Sequence, residues 1–98
     1  MYTYPTPEMS RIKITVHGRV QGVGFRYHTR KKAQALNLTG YVVNKPDRTV
    51  EIVADGADDR LEALVIWSKV GPERAVVRHV EVEDCLQVNR FDEFVIES

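Results

Sequence analysis

A short glycine-rich segment holds the residues of this sequence that are best suited to chemistry. It reads Gly-Arg-Val-Gln-Gly-Val-Gly-Phe-Arg over residues 18–26 and lies between a predicted strand and a predicted helix. Successive backbone N–H groups in a curve that glycine permits can converge on one anion, and the free N–H groups of the helix start add to them. Arg26, in the first helical turn, can bind two oxygens of that anion through its planar guanidinium. The residues therefore indicate an anion site, while a plain glycine-rich connection with exposed arginines explains them equally well.

Several familiar cofactor sites are excluded by the same residues. The dinucleotide fingerprint is not met, because Tyr27 stands three positions after Gly24. The sequence also lacks the Gly-Lys-Ser/Thr ending of a nucleotide P-loop, and no acidic residue is placed to hold magnesium. Three widely spaced histidines and a single cysteine, Cys85, provide neither a zinc-ligand pattern nor an internal disulfide. We therefore predict no metal and no cofactor.

The segments on either side of the glycines must position these groups. Residues 11–17 alternate apolar and polar side chains and predict a half-buried strand, after which the glycines of residues 18–24 end regular structure. From Phe25 the period becomes helical. The predicted buried stripe comprises Phe25, Thr29, Ala33 and Leu36, and the wet face comprises Arg30, Lys31, Lys32 and Gln34. Asn37 and Gly40 supply helix stop signals.

A β-hairpin is predicted next. Residues 40–44 and 49–54 are short β-rich runs, and a proline followed by an aspartate in residues 45–48 favours a turn between them. The inward row of the second strand is predicted to comprise Val50, Ile52 and Ala54.

A second helix and the last strands complete the pattern. Asp59 and Glu62 have capping-box spacing, so we expect Asp59 to cap this helix. Its buried face is predicted to comprise Leu61, Leu64, Val65 and Ser68, with Trp67 partly buried at the edge. Gly71-Pro72 ends the helix, and alternation around Val80 and around Phe94 predicts the final strands.

This order, β-α-β-β-α-β with a short extra strand or extension, indicates the α+β class. Two right-handed split β-α-β crossovers give a ferredoxin-like α/β sandwich, in which an antiparallel sheet of four to five strands carries both helices on one face. The fold hosts many unrelated activities and therefore does not predict a function. With 98 residues the chain suits one domain, which we place at residues 11–98 after a flexible tail at residues 1–10.

Two separated blocks of the sequence resemble the acylphosphatase family. The first is the Val-Gln-Gly-Val and Phe-Arg pattern within residues 18–26, and the second is Gly-Tyr-Val-Val-Asn at residues 40–44, followed by a turn and a valine-rich strand. The single predicted helix between the blocks also fits the family. The resemblance implies a metal-independent hydrolase that cleaves the carboxyl–phosphate bond of acyl phosphates.

The resemblance further implies that Arg26 and Asn44 are the catalytic residues. By this resemblance Arg26 binds the substrate phosphate with the backbone amides of Val20, Gln21, Gly22, Val23, Gly24, Phe25 and Arg26, and Asn44 orients the attacking water. On the residues alone, Asn44 is most simply a turn former, with its side chain on the opposite sheet face from Tyr41. Because an acyl phosphate has a good leaving group, in-line water and neutralised phosphate charge suffice without a side-chain base. His17 and His28 can add positive charge nearby at low pH.

The family commonly has glycine in the hairpin turn, where this chain has Arg48. If that position needs a positive φ, arginine costs on the order of 1 kcal/mol. The turn adjoins Asn44, so this departure bears on water placement rather than on phosphate binding.

Charge and composition limit the classes of partner that can be expected. Fourteen basic residues balance fourteen acidic ones, so bulk charge does not favour a nucleic-acid partner. The N-terminal residues contain no apolar run that could act as a signal peptide or cross a membrane. We expect a cytoplasmic monomer whose partner is a small-molecule acyl phosphate, with no nucleic acid and no membrane.

Two alternatives stay open. One is an acylphosphatase-like domain directed to carbamoyl phosphate, of the kind found in large carbamoyl-transferring proteins. The length of 98 residues argues against this alternative. The other is a non-catalytic ferredoxin-like binding module. An RNA-recognition domain of this fold would need stacking aromatics on its central strands, which the sequence lacks.

Overall fold

Strands and helices follow one another in the predicted order. The computed structural model describes residues 9–86 and 89–97, within which the elements are β1 (Met9–Arg19), α1 (Phe25–Ala35), β2 (Thr39–Asn44), β3 (Val50–Ala57), α2 (Asp58–Ser68), β4 (Val76–Asp84) and β5 (Phe94–Glu97). Residues 1–8 of the predicted tail lie outside the described residues. Its last two residues, Met9 and Ser10, instead pair with Ala57 and Gly56, so β1 begins two residues earlier than predicted.

The strands form one sheet in the order β4-β1-β3-β2-β5. β1 is antiparallel to β3 and β4, and β2 is antiparallel to β3, which confirms the ferredoxin-like arrangement. β5 runs parallel to β2, so the sheet is mixed and the prediction of an antiparallel sheet was wrong for this strand. The chain leaves β4 at one edge, crosses to the other edge and reverses direction. Since β2 is itself opposed to β4, the returning strand must run parallel to β2.

The core lies between the sheet and the two helices, as the patterns predicted. Ile14, Val16, Val50, Ile52 and Ala54 are fully buried on the sheet face that the helices cover. The helices bury Phe25, Thr29, Ala33, Leu61, Leu64 and Ser68 against it. Trp67 is half-buried, and its ring centroid lies 5.4 Å from that of Phe25, which confirms its predicted edge position.

The two predicted helix boundaries had mixed success. Asn37 lies just beyond α1 with φ of 59°, the left-handed conformation of a helix stop. Gly40, the other predicted stop, is instead part of β2. The capping box at Asp59 was wrong, because β3 continues to Ala57, which is the N-cap residue and makes no side-chain cap bond. Asp59 lies inside the first turn, where its charge favours the positive end of the helix dipole.

The first glycine of the glycine-rich segment belongs to β1 rather than to the loop. β1 continues through Gly18 to Arg19, with a register shift against β4 between His17 and Gly18. A Cβ at Gly18 would lie 2.2 Å from the backbone oxygen of Val76, so glycine is required for the close approach of β1 to β4. The predicted break at Gly18 was therefore wrong, and the connection to α1 starts at Val20.

A cluster on the uncovered sheet face holds the β4–β5 connection. Arg11 pairs with Asp55, and the distance from its Nη2 to Asp55 Oδ2 is 2.6 Å. The Arg11 guanidinium also lies 4.6 Å from the centroid of the Phe91 ring, which in turn packs against Tyr41. These contacts help to fix residues 89–93 across the sheet before β5 begins. Neither described helix is long and apolar enough to cross a membrane.

Candidate active site

One end of the sheet, where β1 and β2 finish on either side of β3, brings the two predicted catalytic residues together. Val16 near the end of β1 and Asn44 at the end of β2 both pair with Val50, the first residue of β3. The loop that follows β1 and the turn that follows β2 are therefore neighbours. Between them lies a cavity of about 210 Å³, lined by Val20, Gly22, Gly24, Phe25, Arg26, Tyr27, Asn44 and Ile96.

Residues 20–26 form the concave side of this cavity, and we call them the phosphate loop. Gly22 and Gly24 have φ of 76° and 82°, a backbone conformation that side chains strongly disfavour. A Cβ on Gly22 would meet no atom within 4 Å, so glycine is needed there for its backbone angle rather than for packing. Gly24 is the N-cap residue of α1, so the loop curves directly into the helix start.

The amide groups of the phosphate loop are available to a ligand. Within the described part of the chain, none of the N–H groups of residues 20–26 donates a hydrogen bond to another residue. The side chains of Val20, Val23 and Phe25 are buried in the core, where they anchor the loop from beneath. A curve of unpaired backbone donors at a helix N-terminus is suited to binding an oxyanion.

Arg26 adds a full positive charge to the same cavity. It lies in the first turn of α1, where there is no acidic residue. It is half-buried and forms no ion pair with any acidic residue that the structure describes. Because no carboxylate neutralises it, its guanidinium can bind an anion together with the loop amides.

Asn44 contributes an unpaired amide side chain from the opposite wall. Its Oδ1 is buried and has no hydrogen-bond partner among the described residues. A buried polar atom without a partner is costly unless a ligand or a water molecule satisfies it. Tyr41, three positions earlier, lies on the other sheet face, as the alternation predicted. Its hydroxyl donates a 2.9 Å hydrogen bond to Glu51 Oε2. Burial, reinforced by that bond, raises the pKa of Tyr41.

The turn after Asn44 is closed by its own hydrogen bonds. Lys45 N donates to Thr49 O at 2.9 Å, and Arg48 N donates to Lys45 O at 3.0 Å. The Asp47 carboxylate accepts bonds from the hydroxyl and the amide of Thr49, which hold the pKa of Asp47 below its usual value. Arg48 has φ of 76°, so this position does require the left-handed conformation that the family's glycine suggested.

A family model for acylphosphatase matches residues 12–96. The chain belongs to the acylphosphatase family. It is 51% identical over 79 residues to an acylphosphatase of Trichormus variabilis, covering 81% of this chain and 78% of that one. An acylphosphatase structure from Coxiella burnetii superposes with a TM-score of 0.86 at 40% identity, covering 92% and 94% of the two chains. Membership makes this chain an acylphosphatase-type enzyme with a small-molecule substrate.

The family domain also occurs within a much larger protein. The structure of full-length HypF in its phosphate- and nucleotide-bound form matches with a TM-score of 0.85 and 29% identity. That match covers 96% of this chain but 12% of the HypF chain. The same domain architecture is thus found both in acylphosphatases of this length and as a small part of a long chain.

Neither histidine near the loop lines the cavity of this acylphosphatase. His28 is exposed, and its Nδ1 donates to Gly24 O at 2.8 Å, so its ring supports the start of α1. His17 Nε2 lies 3.1 Å from Glu81 Oε1, and the His17 ring centroid lies 5.4 Å from that of His79, with the two ring planes tilted by 43°. The hydrogen bond from His17 lowers the pKa of Glu81.

The cavity lining offers neither a carboxylate, an imidazole nor a thiolate to a metal ion. It contains no His, Cys, Asp or Glu, and within residues 9–86 and 89–97 no three such side chains meet in a group able to hold a metal ion. Independence from metal stays a prediction, which chelation tests.

Sequence reasoning missed the side chain of Gln21. The sequence singled this residue out only for its backbone amide, whereas its side-chain Nε2 lies 2.9 Å from Lys45 O and 3.0 Å from Thr49 O. Both contacts join segments more than twenty positions apart in the sequence, so local pattern gave no signal for them.

Proposed function

We propose that this enzyme hydrolyses the carboxyl–phosphate bond of acyl phosphates to a carboxylate and inorganic phosphate by direct attack of water. The observation that carries the proposal is the shared cavity, which combines Arg26, Asn44 and the unpaired amides of the phosphate loop. The acylphosphatase relatives support the reaction class.

The phosphate loop and Arg26 bind the phosphoryl group. Its oxygens carry most of the negative charge of the substrate, and the amides of Val20, Gln21, Gly22, Val23, Gly24, Phe25 and Arg26 are the donors that face them. The Arg26 guanidinium takes two oxygens and neutralises charge that grows as the bond to the leaving carboxylate stretches. Because these groups are fixed before the substrate arrives, little reorganisation is needed in the transition state.

Asn44 positions the attacking water. Its buried Oδ1 lacks a partner, and accepting a hydrogen bond from water would satisfy it. The water oxygen forms a new bond to phosphorus while the bond from phosphorus to the acyl oxygen breaks, and the acyl group departs as a carboxylate. The cavity is lined by no carboxylate or imidazole that could act as a base. A phosphate oxygen of the substrate itself therefore takes the water's proton.

Turnover of acetyl phosphate by the purified chain tests the proposal. Release of acetate and phosphate in a 1:1 ratio, with solvent ¹⁸O incorporated into phosphate and not into acetate, is the expected result. Label in acetate would place the attack at carbon and contradict the scheme. Absence of turnover would favour the binding-module alternative instead.

Carbamoyl phosphate is the appropriate second substrate. It presents the same phosphoryl group, so the cavity gives no reason to exclude it. Comparison of kcat/KM for the two substrates decides between the general activity and the carbamoyl-directed alternative. The cytoplasmic location and the monomeric state also stay predictions, and size-exclusion chromatography with light scattering checks the second.

A further inference from the structure

We propose that Gln21 is a positioning residue that holds the phosphate loop against the hairpin carrying Asn44, and thereby sets where water lies relative to bound phosphate. This inference rests on the roles proposed above for Arg26 and Asn44. It concerns the side chain of Gln21, which is separate from the contribution of its backbone amide to the anion site.

The side chain of Gln21 links the phosphate loop to the hairpin turn that follows Asn44. Its Nε2 lies 2.9 Å from Lys45 O and 3.0 Å from Thr49 O, the two residues at the neck of the hairpin turn. Among the described residues these are the hydrogen bonds that join residues 20–26 to residues 44–49. All other hydrogen bonds of the turn stay within the hairpin.

The chemistry of the contact suits an amide side chain. Both partners are carbonyl oxygens, which only accept, so the NH₂ end of Gln21 must face them. That group has two N–H donors, one for each carbonyl. Each carbonyl also accepts a backbone bond within the turn, from Arg48 N at Lys45 O and from Lys45 N at Thr49 O. Gln21 therefore fills the remaining acceptor position on both sides of the neck.

The position of the Asn44 side chain depends on the backbone around it, because the side chain has no hydrogen-bond partner of its own among the described residues. Its Oδ1 is also buried. The direction of the amide is therefore set by the backbone of β2 and of the neck, which begins at the next residue, Lys45. A shift of the hairpin relative to the phosphate loop would move the attacking water without touching the phosphate.

The anion site has other anchors and does not need the clamp. Val20, Val23 and Phe25 are buried beneath the phosphate loop, and His28 holds Gly24 O from the helix side. Removing the Gln21 donors should therefore leave phosphate affinity largely intact. Reaction rate is more sensitive, since displacement of a reacting group by about 1 Å can cost roughly 10²-fold.

The first experiment compares Gln21→Met with Gln34→Met. Methionine keeps the size of the side chain and removes its donors. Gln34 is the matched control, because its Nε2 also reaches a backbone carbonyl, Phe94 O at 3.4 Å, but away from the cavity. We expect Gln21→Met to lower kcat for acetyl phosphate about 10- to 100-fold, with the inhibition constant of inorganic phosphate changed less than about threefold. Gln34→Met should leave both values within about twofold.

A double-mutant cycle with Asn44→Ala distinguishes a positioning role from a purely structural one. It compares the loss in kcat caused by Gln21→Met when residue 44 is asparagine and when it is alanine. If Gln21 acts by placing Asn44, Gln21→Met should cost less than about threefold in kcat once Asn44 is already alanine. Thermal unfolding of all variants shows that they are folded at the assay temperature. If Gln21→Met does not fold, Gln21→Asn replaces it, because an amide one methylene shorter cannot reach both carbonyls.

The possible outcomes distinguish a failure of the positioning role of Gln21 from a failure of the proposed water site at Asn44. Equal kcat losses from Gln21→Met in both backgrounds, or an unchanged kcat in the folded single variant, would overturn the positioning role alone. A rise in the phosphate inhibition constant that accounts for the whole loss would also overturn it. A normal kcat in Asn44→Ala would instead overturn the proposed water site on which this inference rests.

Discussion

Arg26 and Asn44 face one cavity from two different elements, Arg26 from the first turn of α1 and Asn44 from the last residue of β2. The guanidinium lacks an acidic partner among the described residues, and the buried Asn44 Oδ1 lacks a hydrogen bond. Folding alone does not explain why a positive charge and a buried amide oxygen, each without a partner among the described residues, line the same cavity. The arrangement becomes reasonable when an anion and a water molecule occupy the space between them.

Replacing Arg26 should weaken binding and turnover together. In the proposed scheme the guanidinium contacts phosphate in both the ground state and the transition state, so Arg26→Ala is expected to raise the inhibition constant of phosphate and to lower kcat. Arg26→Lys keeps the charge without the two-pronged geometry and should restore little of either. Calorimetric titration of phosphate, measured beside steady-state kinetics, checks the prediction. If Arg26→Ala binds phosphate as well as the parent, the anion site lies elsewhere.

Replacing Asn44 should separate binding from catalysis. In the proposed scheme its side chain contacts water and scarcely touches the phosphate, so Asn44→Ala should leave phosphate affinity nearly unchanged. We expect kcat to fall by roughly 10²–10³, the usual cost of one well-placed polar group. Asn37→Gly is the control, because Asn37 is exposed beyond the end of α1, does not line the cavity and has a positive φ that glycine also adopts. A folded Asn44→Ala variant with near-normal kcat would show that water is held by another group.

Local patterns predicted the elements but not every relation between them. The inward row of Val50, Ile52 and Ala54 was confirmed because strand alternation is a local property. The direction of β5 was not predictable in this way, since it depends on a connection that crosses the sheet and is held by Arg11 and Phe91. Two of the misplaced boundaries, at Gly18 and at Ala57, arose because strand pairing extends β1 and β3 past residues that usually end elements.

In the candidate site, too, the features that sequence reasoning missed are those that depend on long-range contacts. Arg26 and Asn44 were assigned by resemblance, and the geometry now supports that pairing through a common cavity. The side chain of Gln21 was missed, because its partners Lys45 and Thr49 come near only when the hairpin folds back onto the phosphate loop. Long-range hydrogen bonds of this kind leave no periodic trace in the sequence.

Chelation should not affect the reaction. The cavity lining contains no His, Cys, Asp or Glu, and the single Asn44 amide oxygen lies in the same cavity as the positively charged Arg26, which disfavours a cation. Hydrolysis of acetyl phosphate should therefore proceed at an unchanged rate in excess EDTA. Inorganic phosphate and sulfate should inhibit competitively, because each matches the anion that the loop is proposed to bind. Loss of most activity on chelation, restored by a divalent ion, would disprove the metal-free scheme, and purely non-competitive inhibition would contradict the location of the anion site.

Replacing Arg48 by glycine should stabilise the fold. Arg48 has φ of 76°, and its side chain makes no hydrogen bond or ion pair with a described residue, so the change relieves backbone strain and removes no side-chain contact; the backbone bond from its amide to Lys45 O stays. The left-handed conformation costs a non-glycine residue roughly 1–2 kcal/mol, and the greater entropy of glycine in the unfolded chain offsets part of this gain. We expect the free energy of unfolding in urea to rise by several tenths to about 1 kcal/mol.

Arg74→Gly provides the matched control for that measurement. Arg74 is also an exposed turn arginine, but it is not among the positive-φ residues, so glycine there should lower the free energy of unfolding by about 0.4–1 kcal/mol. Opposite signs for the two variants would show that the strain at Arg48 is real. If Arg48→Gly destabilises the protein as Arg74→Gly does, the turn gains nothing from glycine. In the stabilised variant kcat should stay within about threefold, because the clamp from Gln21 to Lys45 and Thr49 uses only carbonyls that the substitution leaves in place.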